Sequence, residues 1–169
     1  MNIRLANKQD LPELKKMFNH IVAKMNDDGI NIWNEYYPFE EFEGDIENNR
    51  LYLLVDENDI CATFGLFDST CGEDLFKWED NQEKAIYIGR LGVNVNFLRK
   101  GIGTKAIDEA RKLVKQKNGK YLRLTVGEEN VPAINLYLKN GFNKVDGLFS
   151  EYSETLDKTI HEIGFELKI

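Results

Sequence analysis

The chain has 169 residues, of which 42% are hydrophobic and 30% are charged, and its formal net charge is −7. This length fits one domain with a core of its own, and no segment approaches the ~20 apolar residues of a membrane span. A negative net charge argues against nucleic-acid binding, which needs a basic face. Since the first residues also lack the apolar run of a signal peptide, we expect a cytoplasmic protein that binds neither membrane nor nucleic acid, folded as a single domain over residues 1–169.

The first 50 residues predict a strand and two helices. After a short strand over residues 3–6, Asp10 can cap a helix that has Pro12 in its first turn and Glu13 as the second half of a capping box. Apolar side chains recur at helical spacing up to about residue 26 and again over residues 39–46. The connection between these two helices is rich in aromatic residues, and we favour packing in the core for Trp33, Tyr36 and Tyr37.

Two β-rich runs follow, over residues 51–55 and 60–67, and the polar residues between them are typical of a hairpin. The acidic segment 68–83 is long for a loop inside a compact domain, which is typical of a functional lid or of an insertion. Cys61 falls in a strand and Cys71 in this loop, without the spacing of a metal or redox pair. We therefore expect one packed and one exposed thiol, and no metal site.

The centre of the chain predicts a site for an anion. An apolar strand over residues 86–95 leads into a basic turn with two glycines, residues 98–104, which opens directly into an amphipathic helix. We call residues 98–104 the glycine turn. Gly101 and Gly103 allow close approach of a ligand, the free N–H groups of the helix face it, and Arg99 and Lys100 add positive charge. This pattern predicts a phosphate cradle.

The remaining elements complete a βαβ unit and add one helix and two strands. A strand over residues 121–126 follows the helix, so the glycine turn is expected at the carboxyl edge of a parallel strand pair, where ligands of open α/β sheets bind. Asn130 can cap a short helix with Pro132 in its first turn, and Gly141 suits its C-terminal end. Two closing strands are predicted over residues 142–150 and 159–169.

The glycine turn and the segment after residue 129 together resemble the GNAT acetyltransferase superfamily. The second segment carries, in the family's order and spacing, Asn130, Ala133, Leu136, Tyr137, Gly141 and Phe142. A lone G-x-G turn also begins Rossmann units, but those show a third glycine and lie near the first strand. The resemblance implies a mixed α/β fold with the order β-α-α-β-β-β-α-β-α-β-β and a splayed central sheet, and acetyl-CoA as the cosubstrate.

The resemblance also implies where acetyl-CoA binds. In the family the loop Arg/Gln-x-x-Gly-x-Gly/Ala grips the pyrophosphate, and the pantetheine arm pairs like a guest strand with backbone that the sheet leaves unpaired. The positions that correspond here are Leu91, Val93, Arg99, Lys100, Gly101, Ile102, Gly103, Thr104 and Asn130. This sequence departs from the pattern at Leu98, which stands in the Arg/Gln position, while Arg99 comes one place later.

Tyr137 has two interpretations. As a residue of a short helix it would pack on the sheet, whereas the resemblance makes it the general acid, or a hydrogen-bond donor, toward the leaving CoA thiolate. In the family the segment between the first two helices lines the acceptor pocket, which would give Trp33, Glu35 and Tyr36 to the substrate. Arg90 interrupts an apolar strand, and it either pairs with an acid from a neighbouring strand or selects a carboxylate-bearing substrate.

The function hypothesis is acetyl transfer from acetyl-CoA to a primary amine by direct attack, because no catalytic cysteine or Ser-His-Asp set is recognisable. The acceptor is a small molecule or a peptide, and the resemblance allows a homodimer. Candidates for the base are Glu35, Asp80, Glu128 and Glu129, each of which also fits a solvated surface charge. The alternative is a non-catalytic acyl-CoA sensor or scaffold, and a third hypothesis is a structural domain with an empty cleft.

Overall fold

The computed structural model describes every residue from Met1 to Ile169. It contains seven strands: β1 Asn2–Leu5, β2 Leu51–Asp56, β3 Asp59–Phe67, β4 Ala85–Val93, β5 Tyr121–Gly127, β6 Asn143–Ser153 and β7 Lys158–Lys168. Its four α-helices are α1 Leu11–Asp27, α2 Phe42–Glu47, α3 Ile102–Gln116 and α4 Val131–Lys139. The predicted order of strands and helices is confirmed.

The strands form one seven-stranded mixed sheet in the order β1-β2-β3-β4-β5-β7-β6. The pairs β1–β2, β2–β3, β5–β7 and β6–β7 are antiparallel, whereas β4 and β5 run parallel and pair over Ala85–Tyr87 and residues 121–123. A parallel pair requires a crossover between its strands, and α3 supplies it. The mixed α/β fold class is therefore confirmed.

The chain forms two compact units. The first comprises residues 1–66 and 90–106, and the second comprises residues 67–89 and 107–169. The sequence-based expectation of one domain over residues 1–169 stays a prediction. None of the helices combines the length and the apolar character that crossing a bilayer requires. No group of three or more His, Cys, Asp or Glu side chains is arranged to hold a metal ion.

In the first unit, α1 and α2 bury their apolar faces against residues of β2 and β3. Phe18 of α1 and Phe42 of α2 meet edge to face, with ring centroids 4.8 Å apart. The cluster around them contains Leu14, Met17, Ile21, Ile46, Leu51, Leu53 and Ile60. Gly92 lies against the same helix, since a Cβ there would stand 2.7 Å from the Phe18 ring. The core thus fixes α2 and this end of β4 relative to α1.

The start of α1 differs from the prediction. Asp10 occupies the N-cap position, but its side chain makes no cap hydrogen bond to the helix. Its carboxylate instead accepts hydrogen bonds from Arg4 of β1 and from the N–H of Asn7. The capping box that we assigned to Asp10 and Glu13 was therefore wrong, and it lies one turn earlier, where Asn7 and Asp10 cap a short 3₁₀ helix.

In the second unit, the predicted lid or insertion is anchored to the sheet. Phe76 and Trp78 are buried against Tyr87 of β4. The N–H of Lys77 donates to Asp146 O at 2.8 Å, and the N–H of Glu79 donates to the carboxylate of Glu166 at 2.9 Å. These contacts hold residues 73–79 on the sheet, as expected of a built part of the fold rather than a loose insertion.

Glycines make room for this segment. Gly147 lies between Val145 and Phe149, where the β6–β7 register shifts, and it has φ 132°. A Cβ on Gly147 would stand 2.8 Å from Phe76 Cα. A Cβ on Gly164 of β7 would stand 2.7 Å from the Phe76 ring. Both distances are shorter than any ordinary carbon contact, so Phe76 reaches the sheet only because neither position carries a side chain.

Candidate functional site

The glycine turn begins where β4 ends. Asn94 caps a short 3₁₀ helix over Val95–Phe97 by accepting a hydrogen bond from the N–H of Asn96 at 3.1 Å. The backbone then takes the left-handed conformation twice, at Arg99 (φ 60°) and at Gly101 (φ 76°). The N–H of Lys105 donates to Gly101 O at 3.0 Å, and α3 begins at Ile102. The predicted turn between strand and helix is therefore present.

The residues of this turn have the donor chemistry that a phosphate group requires. N–H groups in the first turn of a helix have no intrahelical acceptor, and the helix dipole favours an anion there. No heavy atom outside the turn itself lies within 4 Å of the point where a side chain on Gly101 would begin, so a ligand can approach the backbone. The first turn of α3 contains no acidic residue. The fit to a phosphate group is good.

The glycine turn carries two basic side chains and one apolar side chain next to them. Arg99 and Lys100 are both exposed. Lys100 Nζ donates to Asn96 O at 3.1 Å and lies 5.1 Å from the centre of the Phe97 ring, so its charge is held beside the turn. Leu98, which occupies the Arg/Gln position of the resemblance, is exposed and offers no hydrogen-bond donor. Its side chain cannot replace the missing contact to phosphate.

Leu91 and Val93 lie near the end of β4, and both are half-buried. The register of β4 with β5 covers Ala85 to Tyr87. The splay that would leave the backbone of Leu91 and Val93 open to a pantetheine arm stays a prediction.

Arg90 has an unusual backbone and charged partners. It has φ 53° in the middle of β4. Its Nη1 lies 3.0 Å from Asp45 Oδ2, and its Nη2 lies 3.1 Å from Glu41 Oε2. Arg50 Nε also donates to Asp45 Oδ1 at 2.7 Å. We call these four residues the Asp45 cluster. Arg90 is thus ion-paired, with acids from the helical segment around α2 rather than from a neighbouring strand, and its contact with a substrate stays a prediction.

The aromatic connection after α1 is mostly exposed. Trp33 is half-buried and packs on Phe18, with ring centroids 5.6 Å apart. Tyr36 and Tyr37 are exposed, so the core interpretation is wrong for both of them. The charge of Glu35, together with its hydrogen bond, raises the pKa of Tyr36. Because the backbone N–H groups of both tyrosines bind the Asn34 side chain, the turn directs these rings outward.

Asn130 caps α4 as predicted. Its side-chain oxygen accepts a hydrogen bond from the N–H of Ala133 at 3.2 Å, and Pro132 lies in the first turn. Gly141, just beyond the helix, has φ 86° as a C-terminal glycine should. The cap uses the amide oxygen of Asn130, and the amide NH₂ is the group with which this residue could bind a ligand.

Tyr137 is buried on α4. Its ring meets Phe142 edge to face at 5.6 Å and Phe165 of β7 at 6.3 Å. Burial raises the pKa of Tyr137 well above its usual value. The packing interpretation is thus confirmed, and with its pKa raised the phenol is protonated at neutral pH. Such a group can donate a hydrogen bond, whereas its role in catalysis stays a prediction.

The acids considered as bases lie in ordinary surroundings. Asp80 accepts hydrogen bonds from the N–H groups of Gln82 and Glu83, which is a turn-forming role. Glu129 binds Lys158 at 2.8 Å, and Glu35 and Glu128 are exposed.

Sequence reasoning missed a more unusual carboxyl, Glu162 of β7. It is half-buried, and burial raises its pKa, although a hydrogen bond from Thr125 opposes that shift. Asp45 was missed as well, and its spacing after Phe42 on a helix with one buried face could have revealed it.

Comparisons with known proteins identify a family and a set of structures with the same fold. The sequence model of the acetyltransferase (GNAT) family matches residues 16–142. No curated protein sequence matches the chain. Among solved structures, an acetyltransferase of the GNAT family from Streptococcus agalactiae has a TM-score of 0.79 and 18% identity, with 99% of this chain and 95% of that chain covered.

Two further structures of similar fold have names that mention an acetylation reaction or bound acetyl-CoA. The ribosomal-protein-S18-alanine N-acetyltransferase from Escherichia coli has a TM-score of 0.68 and 19% identity, with 99% of this chain and 93% of that chain covered. The protein yncA from Salmonella typhimurium, solved with acetyl-CoA, has a TM-score of 0.67 and 12% identity, with coverage of 99% and 93%. At these identities the similarities establish the fold.

Proposed function

Because this chain belongs to the acetyltransferase (GNAT) family, we propose that it transfers the acetyl group of acetyl-CoA to a primary amine. The observation that carries the proposal is the glycine turn, which has left-handed backbone at Arg99 and Gly101 and opens directly into α3. The turn presents N–H groups, a helix dipole and two cationic side chains to one anion. The pyrophosphate of acetyl-CoA has the charge and size for this cradle.

The pantetheine arm is proposed to lie along β4. Its amides would pair with the backbone of Leu91 and Val93, in the way that an extended peptide adds to an open strand. Asn130 is proposed to contribute its amide NH₂ to the binding of acetyl-CoA. The proposal includes the single domain over residues 1–169, and a family model that runs from residue 16 to residue 142 supports it.

Acetyl-CoA, when bound, supplies the thioester carbonyl that the amine attacks. The new C–N bond forms as the C–S bond breaks, the amine loses one proton, and CoA leaves as a thiolate that takes up a proton from solvent. Tyr137 is proposed to donate a hydrogen bond to that sulfur. A thiol has a pKa about 1.5 units below that of tyrosine, so complete proton transfer would cost ~2 kcal/mol even without burial. The raised pKa of Tyr137 increases this cost, which favours stabilisation of the thiolate by the hydrogen bond over full transfer.

The amine itself must be neutral to attack. A lysine-like amine with a pKa of about 10.4 costs ~4.6 kcal/mol to deprotonate at pH 7. A carboxylate or an ordered chain of waters would accept this proton. We assign no residue to that role. The proposed attack is direct, without an acyl-enzyme.

The acceptor is proposed to be a small molecule or a peptide. The net charge of −7 agrees with a cationic amine and disfavours nucleic acid. The exposed segment around Trp33, Glu35 and Tyr36 is the proposed acceptor-binding region. The Escherichia coli protein with this fold is named as an alanine N-acetyltransferase of ribosomal protein S18, which supports a peptide as one class of acceptor.

A second candidate is a non-catalytic acyl-CoA sensor. One observation favours it: Leu98 gives the glycine turn an apolar side chain where the family pattern has a hydrogen-bond donor. A sensor would bind acetyl-CoA and release no thiol.

The test is calorimetric titration with acetyl-CoA, followed by a thiol-release assay over pooled amines and N-terminal peptides. The assay should use a Cys71→Ser variant, because the exposed thiol would react with the reagent. Binding with thiol release on some pools supports the transferase. Binding without release from any pool supports the sensor, and an absence of binding would overturn both.

A further inference from the structure

We propose that Asp45 is a positioning residue, which holds the left-handed bend of β4 at Arg90 and thereby sets the backbone of Leu91 and Val93 for acetyl-CoA. This inference rests on the proposed function. It starts from a residue whose conformation is unfavourable on its own. Arg90 has φ 53°, a region that glycine enters freely and other residues rarely. Such a residue persists only where its surroundings determine it.

The surroundings that determine it are the Asp45 cluster. The carboxylate of Asp45 is fully buried: its Oδ1 accepts a hydrogen bond from Arg50 Nε at 2.7 Å, and its Oδ2 lies 3.0 Å from Arg90 Nη1 in an ion pair without hydrogen-bond geometry. The Arg90 side chain is itself only 14% exposed, and Glu41 holds its second terminal nitrogen. The buried charge of Asp45 holds both guanidinium groups, because losing either one would leave the carboxylate less compensated in the core.

The anchor is rigid. Asp45 lies on α2 between Phe42 and Ile46, and both of these side chains are buried in the core of the first unit. Because α2 cannot shift without opening that core, the ion pair transmits a fixed position from α2 to Arg90. Packing of Gly92 on Phe18 holds the strand just after the bend. The backbone between these two points includes Leu91, whose N–H and C=O directions follow from the torsion at Arg90.

In this proposal the ion pair of Arg90 with Asp45 sets the backbone conformation of β4 and does not contact the substrate. Glycines stand on both sides of the bend, at Gly89 and Gly92, yet the left-handed position carries an arginine. A glycine at that position would adopt the left-handed torsion without strain. An arginine adopts this torsion only with strain, and the ion pair with Asp45 holds it there.

The test compares Arg90→Ala with Arg90→Gly. Both variants lose the tether, but only glycine accepts the left-handed torsion without strain. We expect Arg90→Ala to weaken acetyl-CoA binding at least tenfold in calorimetry and Arg90→Gly to recover most of that loss. Asp45→Asn should resemble Arg90→Ala. The matched control is Glu43→Gln, which removes an exposed carboxylate from the same helix and should leave the affinity unchanged.

The amide signals of Leu91 and Val93 in NMR spectra of the free protein provide a second measurement. They should shift in Arg90→Ala and return toward their original positions in Arg90→Gly. If the folded Arg90→Ala variant binds acetyl-CoA like the unmodified protein, or if the alanine and glycine variants lose affinity equally, the proposal is overturned. If the unmodified protein does not bind acetyl-CoA, the proposed function fails, and the amide shifts still decide whether Arg90 holds the bend.

Discussion

Arg123 of β5 and Glu166 of β7 form a buried ion pair, in which Arg123 Nε donates to Glu166 Oε2 at 2.7 Å. The two side chains are only 4% and 6% exposed. Arg123 Nη2 also donates to Asp80 O at 2.6 Å, and the guanidinium lies 4.8 Å from the centre of the Trp78 ring. Glu166 in turn accepts from the N–H of Glu79. One ion pair thus joins two strands of the second unit and the segment that covers them.

Substituting Arg123→Ala should lower the free energy of unfolding by about 3–5 kcal/mol, because it leaves the Glu166 carboxylate buried without its partner. Urea unfolding at pH 7 measures this loss. The double variant Arg123→Met/Glu166→Leu removes both charges and should lose much less. The exposed pair of Lys158 and Glu129 is the matched control, and Lys158→Ala should cost less than about 1 kcal/mol. Equal losses for Arg123→Ala and Lys158→Ala would contradict the account.

Tyr137→Phe should lower kcat about 10²-fold and leave acetyl-CoA affinity within about twofold, because it removes one hydrogen-bond donor from the transition state and keeps the packed ring. Steady-state kinetics with the acceptor found in the pooled assay, together with calorimetry, measure the two effects. Phe142→Leu tests packing alone at the same contact. Turnover equal to that of the unmodified protein would exclude Tyr137 from the mechanism.

Gly103→Glu should abolish acetyl-CoA binding, since it adds bulk and negative charge to the helix turn that we propose binds the phosphates. Gln116→Glu adds the same charge at the opposite end of α3 and should leave the affinity within about twofold. Calorimetry on both variants, with circular dichroism to verify folding, makes the comparison. Retained binding in a folded Gly103→Glu variant would mean that the phosphate cradle is misassigned.

Cys71 should be the only thiol that reacts rapidly in the native protein. It is exposed, whereas Cys61 is buried in β3, and burial raises its pKa. A thiolate is the reactive form, so Cys61 is both shielded and less ionised. A colorimetric thiol reagent should count one thiol before unfolding and two in urea. Two rapidly reacting thiols in the folded protein would contradict the placement of Cys61.

The stability of the protein should depend on Glu162 in a pH-dependent way. Its pKa is raised by burial, so the folded state binds this proton more tightly than the unfolded state does. The free energy of unfolding therefore falls as the pH rises from the ordinary glutamate pKa of about 4.3 through the raised value, and it stays lower above it. Glu162→Gln does not titrate and can still accept the bond from Thr125. Its stability relative to the unmodified protein should increase from pH 4 to pH 7.5 in urea unfolding, and an unchanged difference would refute the assignment.

The element order could be predicted because its signals are local. Apolar periodicity and turn residues predicted α1 over residues 11–26, and the structure has Leu11–Asp27. The cap of α1 could not be predicted in the same way. Asp10 directly precedes the helix, but its carboxylate binds Arg4 of β1, and that ion pair depends on how the strand lies beside the helix.

In the candidate site, too, features that depend on neighbouring residues could be predicted, and features that depend on distant residues could not. The glycine turn, the Asn130 cap and the exposed Cys71 follow from neighbouring residues and were predicted. The partners of Arg90 could not be predicted from neighbouring residues, because Asp45 and Glu41 lie more than forty positions before it in the sequence. Tyr36 and Tyr37 were placed in the core on their apolar character, whereas the Asn34 side chain fixes a turn that points them outward.

The absence of side chains at Gly147 and Gly164 limits how the protein can be re-engineered. Phe76 reaches the sheet only through the space at these two glycines, so the segment around Phe76 and the strands β6 and β7 behave as one interlocking piece. A chimera that takes this segment from a relative must also take residues 147 and 164. Exchange of the segment alone should misfold, while exchange of all three parts together preserves the fit.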